Sequence, residues 1–412
     1  MSATSKPITR RGVLAAGTAA VALGLSACGA SSSDGSEPLL GIELPEIFDK
    51  PGQQAEEEPS RVESLLATMT LEQKVAQLFC VTPEGLTGID QAVAAGDTTA
   101  AALANIPVGG LAYFGQNIIG EQQLRDMLSA TYEHACAAGA SIPPFLSVDE
   151  EGGPLVARVA NSGYFDVPSF PSMIEIGATQ DTSKAAEVGE TIGTYLADIG
   201  FNLDFAPDAD VLTNPDNPVI GERSFGSDPD LVAQMVAAEV EAMHETGVAP
   251  CVKHFPGHGD TAGDSHSGAV YTERTREEIE SCEFEPFRAA IDAGVPLVMV
   301  GHIETPNFAA DGLPASLSPT MIGDVLRGDL GFEGTIISDS FAMGAITQNY
   351  TADEAAVQFF AAGGDMLLMP EDLQLAYDGV LEAVSAGTLS EERIDESVMR
   401  ILTAKENLGL LD

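Results

Sequence analysis

The chain is poor in positive charge: 18 Lys and Arg stand against 63 Asp and Glu, a formal net charge of −45 in 412 residues. A polyanion repels phosphate backbones and anionic headgroups, which excludes nucleic acid and a bare anionic lipid surface as partners. Cysteine is sparse. Its five copies (Cys28, Cys80, Cys136, Cys251, Cys282) form no Cys-x-x-Cys pair and no zinc spacing, which argues against a zinc module. With Cys28 set apart for the reason below, the other four are read as buried thiols or as partners in a disulfide. The N-terminal apolar run, residues 13–25, is too short to cross a bilayer as a helix, which takes roughly 20 residues. No Gly-x-Gly-x-x-Gly turn follows the first apolar segment, so a dinucleotide-binding sheet is not supported.

What remains is ample for one large domain. Hydrophobic residues make up 44% of the chain, enough for an extensive core. The excess of acid is read as a solvated surface suited to an acidic or salty exterior.

The first residues read as an address. Arg10 and Arg11 open a basic segment, the apolar run follows, and it ends in Leu25-Ser26-Ala27-Cys28. This resembles a lipoprotein signal, in which the leader is cut before the cysteine and the thiol takes a diacylglyceryl group. The paired arginines and the weak Ala/Gly-rich run resemble a twin-arginine leader. The expectation is a signal peptide over residues 1–28, a membrane anchor on Cys28, and an enzyme held outside the cell membrane. Residues 29–60, rich in Ser, Asp and Glu without apolar periodicity, read as a flexible tether.

From residue 61 to 412, short apolar runs alternate with amphipathic stretches. Candidate strands are 75–81, 109–114, 144–148, 201–205, 249–253, 296–301, 334–338 and 365–369. Candidate helices include 121–138, 184–199, 229–246, 276–293 and 352–362, and 371–412 reads as one or two closing helices. Strand–helix alternation gives a parallel sheet, and eight units predict closure into an α/β fold of the (β/α)₈ type. Such barrels carry their sites at the C-terminal ends of the strands. Asp149, Asp204, Lys253, His254, His302 and Asp339 all fall at such ends, which predicts an enzyme.

The segment Lys253-His254-Phe255-Pro256-Gly257-His258-Gly259-Asp260 runs on through Asp264-Ser265-His266 and is the richest in chemistry. Asp264 and His266, two apart in a bend, can hydrogen-bond. A carboxylate on one ring nitrogen sets the tautomer and leaves the other free to exchange a proton. The competing reading is a metal site from His254, His258, Asp260, Asp264 and His266. Lys253 argues against it, since a cation there would face an ammonium group, and no metal or cofactor is expected. Asp339, a lone carboxylate after an apolar strand, suits a nucleophile, with a helix N-cap as the alternative.

These motifs resemble glycoside hydrolase family 3, specifically its single-domain β-N-acetylglucosaminidase branch, from about Val62 to Leu410. The branch signature appears as Lys253–Thr261 followed by Asp264-Ser265-His266. The resemblance implies that His266 is the acid/base with Asp264 as its partner, and that Asp339, in Ser338-Asp339, is the nucleophile. Asp149, Arg223, Lys253 and His254 match positions that hold the sugar. After the third strand the family pattern is broken. Pro154-Leu155 stand where Arg-Val is usual and Arg158 falls one residue late, so Arg158 binds sugar only where the loop absorbs an insertion.

The implied chemistry is retaining release of terminal non-reducing β-linked N-acetylglucosamine, from cell-wall fragments or chitin-type oligosaccharides, by a monomer. The alternatives are a β-glucosidase or an N-acetylglucosaminide phosphorylase of the same family, or a non-catalytic sugar-binding lipoprotein. A neutral imidazole would not repel a phosphate acceptor, and the β-glucosidases of the family usually draw their acid/base from a second domain.

Overall fold

The computed structural model describes residues 60–411. Cys28, the leader and the tether before residue 60 lie outside the described residues. No helix among those described is long and apolar enough to cross a membrane.

Eight parallel strands form the central sheet: β1 (Phe79–Val81), β2 (Gly110–Tyr113), β3 (Phe145–Val148), β4 (Leu203–Asp204), β5 (Ala249–Phe255), β6 (Leu297–Val300), β7 (Thr335–Ser338) and β8 (Leu367–Leu368). Their order runs β7-β6-β5-β4-β3-β2-β1-β8, and a parallel bridge from Ile337 to Met366 joins the two ends into a barrel. Nearly every strand residue is buried, because strands covered by helices outside and filled by side chains inside have no solvated face. All eight expected strands are present.

Two boundaries differ from the sequence reading. Residues 75–77 belong to the helix Leu71–Gln77, started by a Thr70/Gln73 capping box, so β1 begins only at Phe79. The stretch 276–293 is two helices, Arg276–Glu280 and Phe284–Asp292, broken at Ser281–Glu283. The tail supplies two closing helices, Leu373–Ser385 and Glu391–Asn407.

The outer helices pack where small residues allow it. Thr182–Ile199 lies against Pro229–His244, and a Cβ on Gly189 would sit 2.4 Å from the Glu239 carbonyl oxygen. At the N-terminal mouth of the barrel, buried Asp365 gathers the guanidinium groups of Arg327, Arg393 and Arg400, the Ser397 hydroxyl and the Ile336 N–H. This cluster ties the last strand to the closing helix at the end of the barrel that serves stability. Cys80, Cys136, Cys251 and Cys282 are all free thiols, which settles the disulfide alternative.

Candidate active site

The C-terminal ends of the strands open into a cavity of about 540 Å³. Asp149, Arg158, Arg223, Lys253, His254, Asp264, His266 and Asp339 all line it, so the sequence-derived set converges on one place.

Charge at the floor is organised around Glu151. The Lys253 ammonium lies 2.7 Å from Asp149 Oδ1 and 2.6 Å from Glu151 Oε1. The Arg223 guanidinium grips Glu151 through Nε (2.8 Å) and Nη2 (2.7 Å), and reaches Asp208 at 3.4 Å. Burial alone would strip the proton from Lys253, but the Asp149 and Glu151 charges outweigh it and hold the ammonium above its ordinary range. Burial would likewise raise Glu151, and Arg223 and Lys253 overcome it to hold the carboxyl well below the usual carboxylate range. The cations therefore stay charged in a buried site because each is paired.

His254 donates from Nδ1 to Asp210 Oδ2 at 2.7 Å. Burial, with Arg223 nearby, lowers the ring to about 4, so it is neutral at pH 7. His302, behind the cavity wall, donates from Nε2 to the Ser340 carbonyl (2.9 Å) and accepts from the Ser316 hydroxyl (2.7 Å), which fixes a neutral tautomer. Asp339 sits at the end of β7 with Oδ1 accepting the Ser340 N–H at 2.7 Å. Burial pushes its carboxyl up, and the His254 and His302 rings, the Ser340 N–H and Lys253 more than reverse this, so it lies below its ordinary value. The helix-cap alternative fails, because the next helix begins at Gly344 with Met343 at the cap position.

Asp264 and His266 stand at the mouth. The carboxylate accepts both the His266 backbone N–H (2.9 Å) and ring Nδ1 (2.7 Å) through one oxygen. Their side chains are 44% and 66% exposed, so the pair is wet. Burial nudges Asp264 upward, and the two bonds from His266 reverse it to a net lowering. The loop bringing them here needs its glycines. A Cβ on Gly259 would meet the Val211 carbonyl oxygen at 1.8 Å, and Gly257 has φ +131°.

The metal alternative is not gathered into one donor cluster among the described residues. His258 lines the cavity but bonds to Thr261 and Ser265, and Asp260, which does not line it, accepts from Thr213 and Thr272. A different trio, Asp208, Asp210 and His254, brings ligand atoms within 4.8 Å of one another. Its atoms are committed already: Asp210 holds His254 and the His258 N–H, Asp208 Oδ1 holds the Asp210 N–H, and Arg223 faces Asp208. That donor set suits a cation poorly.

Arg158 does reach the cavity. It follows the hairpin formed by Glu150–Gly152 and Val156–Ala157, whose register shifts between Glu150 and Gly152. Sequence reasoning passed over Asp208 and Asp210, although two acids flanking Ala209 just after β4 were a legible signal. It also passed over the apolar lining from Phe205, Met299, Met343 and Leu368, which carries no polar signature at all. Asp204 and His302 end strands but do not line the cavity. Asp204 instead accepts the Glu150 N–H at 2.9 Å.

Residues 70–404 match the glycosyl hydrolase family 3 N terminal domain. Beta-hexosaminidase LpqI of Mycobacterium tuberculosis is 31% identical over 385 residues, covering 92% of this chain and 91% of that protein. Beta-hexosaminidase A of Pseudoalteromonas piscicida is 32% identical over 73% of this chain, which spans only 54% of it. A family 3 beta-N-acetylglucosaminidase structure from Paenibacillus sp. superposes with TM-score 0.78 at 37% identity, covering 84% of this chain and 64% of that one.

Proposed function

The chain belongs to glycosyl hydrolase family 3, and we propose that it is a β-N-acetylhexosaminidase that releases terminal β-linked N-acetylglucosamine with retention of configuration. One observation carries the mechanism: a partly buried, ionised carboxylate and an imidazole–carboxylate pair line the same cavity. The relatives' names, two beta-hexosaminidases and a beta-N-acetylglucosaminidase, supply the sugar.

In the first half-reaction Asp339 Oδ attacks the anomeric carbon while His266 Nε2 delivers its proton to the departing glycosidic oxygen. The C–O bond to the leaving group breaks, and an ester to Asp339 forms. In the second, neutral His266 removes a proton from water, the hydroxide opens the ester, and Asp339 leaves as carboxylate. Retaining enzymes usually set two carboxyl groups about 5 Å apart. Here an imidazole takes one place, and Asp264 fixes its tautomer through Nδ1. Asp149, Lys253, Arg223 and His254 offer donors and acceptors to the sugar hydroxyls at the floor.

We further propose export and anchoring through Cys28, a reading supported by the sequence Leu25-Ser26-Ala27-Cys28. The enzyme would then face cell-wall fragments or chitin-type oligosaccharides from outside the membrane.

The test is release of a chromophore from an aryl N-acetylglucosaminide against the aryl glucoside, together with trapping by a fluorinated sugar. The acetamido substrate is expected to be strongly preferred, and the trapped sugar to map to Asp339. Asp339→Asn is expected to abolish turnover with the fold intact. A label on another residue overturns the nucleophile assignment, and equal rates on glucosides overturn the substrate.

A further inference from the structure

We infer that His258 is a positioning residue for the acid/base: its ring holds Ser265, the residue between Asp264 and His266, to the sugar-binding floor and so sets where His266 delivers its proton. This rests on the reading of His266 as the proton donor, and adds to it the group that fixes the donor's place.

An exposed proton donor has a placement problem. Asp264 and His266 bond to each other, and with side chains 44% and 66% exposed neither is packed into position. A backbone rotation would carry the pair off as a unit, with its internal hydrogen bond intact. Acid catalysis nonetheless needs Nε2 within hydrogen-bond reach of the leaving oxygen, and a misplacement of about 1 Å can cost on the order of 100-fold. The hold must come from the backbone between the two side chains, and there the chain turns inward. Ser265 is buried between its two exposed neighbours.

Ser265 is held from two sides. Its carbonyl accepts the Ala345 N–H (3.2 Å), and the His266 carbonyl accepts the Gly344 N–H (3.1 Å), both from the segment that follows Asp339. From the other side, its hydroxyl meets His258 Nε2 at 3.1 Å. The second ring nitrogen, Nδ1, meets the Thr261 hydroxyl at 2.7 Å. His258 is buried, and burial lowers its ring below the ordinary imidazole range. A neutral ring has one donor and one acceptor nitrogen, and here both are used.

The ring is itself fixed to the floor. The His258 backbone N–H donates to Asp210 Oδ1, while Asp210 Oδ2 takes His254 Nδ1 at 2.7 Å. The Asn217 amide closes the turn, donating to the carbonyls of His258 (2.8 Å) and Thr261 (2.9 Å). One carboxylate thus carries His254 on one oxygen and, through His258, the acid/base loop on the other. The proton donor is registered both against the segment after the nucleophile and against the floor that receives the sugar.

The experiment measures kcat/KM, which reports the steps up to glycosylation, on the full chain with aryl N-acetylglucosaminides of good and poor leaving ability. Ser265→Ala removes one oxygen. His258→Asn offers a polar atom in place of Nδ1 and none in place of Nε2, whereas His258→Gln reaches the place of Nε2. Ser265→Ala and His258→Asn should each slow the poor leaving group by about five- to tenfold and spare the good one, since what is lost is a single buried hydrogen bond. The double variant should lose no more than either single, because both break the same bond. His258→Gln should recover most of the loss seen in His258→Asn. Each ratio of good to poor is read on one protein, so loss of folded enzyme does not mimic it. Equal slowing of good and poor leaving groups, or losses that multiply in the double variant, overturns the inference, and His258 then serves only the fold. His266→Ala tests the reading beneath. If its ratio equals that of wild type, His266 is not the donor and the positioning role falls with it. If His266→Ala widens the ratio and Ser265→Ala does not, the positioning role alone falls.

Discussion

Removing either half of the Asp264–His266 pair should have very different costs, and the exposure of the pair sets the difference. His266→Ala deletes the proton carrier, and general acid–base help is typically worth ~10²–10⁴-fold. Asp264→Asn leaves the ring in place and removes a charge from a pair whose side chains are 44% and 66% exposed. Exposed ion pairs contribute about 0.2–1 kcal/mol, which is at most about fivefold in rate. Asp264→Asn should therefore slow turnover by no more than about fivefold. The assay is a leaving-group series of aryl N-acetylglucosaminides. In His266→Ala, substrates with good leaving groups need no proton, so their first step is spared and a glycosyl ester builds up on Asp339. Azide, as an external nucleophile, should restore its turnover. The wild-type ratio between good and poor leaving groups should widen in His266→Ala and barely change in Asp264→Asn. An unchanged ratio in His266→Ala would refute the proton-donor role. A loss above 100-fold in Asp264→Asn would refute the estimate from exposure and mean that substrate dries the pair during turnover.

Lys405, fully buried, reaches only Gln77 Oε1 (2.8 Å) and the Phe145 ring, and burial lowers its ammonium from 10.5 to about 7. Between those values the unfolded chain holds a proton that the folded chain has released, so stability should rise with pH, by an upper bound on the order of 5 kcal/mol; urea unfolding at pH 7 and 9.5 should show this rise in wild type and not in Lys405→Met. Asp365→Asn leaves three guanidinium groups around an uncharged amide and should cost about 3–5 kcal/mol in urea unfolding, with a loss under 1 kcal/mol contradicting the cluster's role. Cys28→Ser should shift the protein from the membrane fraction to the medium or leave it unprocessed, and equal membrane binding of variant and wild type would rule the anchor out.

The barrel was legible because its strands are buried on both faces and so read as apolar runs. The error at residues 75–77 has a plain cause: a short apolar run does not distinguish a strand from the buried face of a helix, and the Thr70/Gln73 box decided for helix. The site was legible where residue type and strand end coincide, at Asp149, Lys253, His254 and Asp339. It was not legible where orientation decides. Asp204 and His302 also end strands, yet their side chains turn to backbone partners and do not line the cavity. Glu151, next to Asp149, becomes the hub of the floor only once Arg223, 72 positions away, folds onto it. No local pattern encodes that contact.

The floor solves a conflict that any acidic glycosidase faces. A nucleophilic carboxylate must be ionised, which favours a cation beside it, yet a cation in contact would hold the lone pair needed for attack. Here the cations are spent on other acids. Lys253 binds Asp149 and Glu151, and Arg223 binds Glu151 and Asp208. Asp339 forms no ion pair among the described residues, and one of its oxygens takes only the Ser340 N–H. It stays ionised because the His254 and His302 rings, the Ser340 N–H and the field of Lys253 together outweigh burial. A neutral ring can accept or donate a hydrogen bond to the sugar without pairing with the nucleophile. His254 is paired through Nδ1 with Asp210, and burial keeps the ring neutral, so neither it nor Lys253 is in an ion pair with the nucleophile among the described residues.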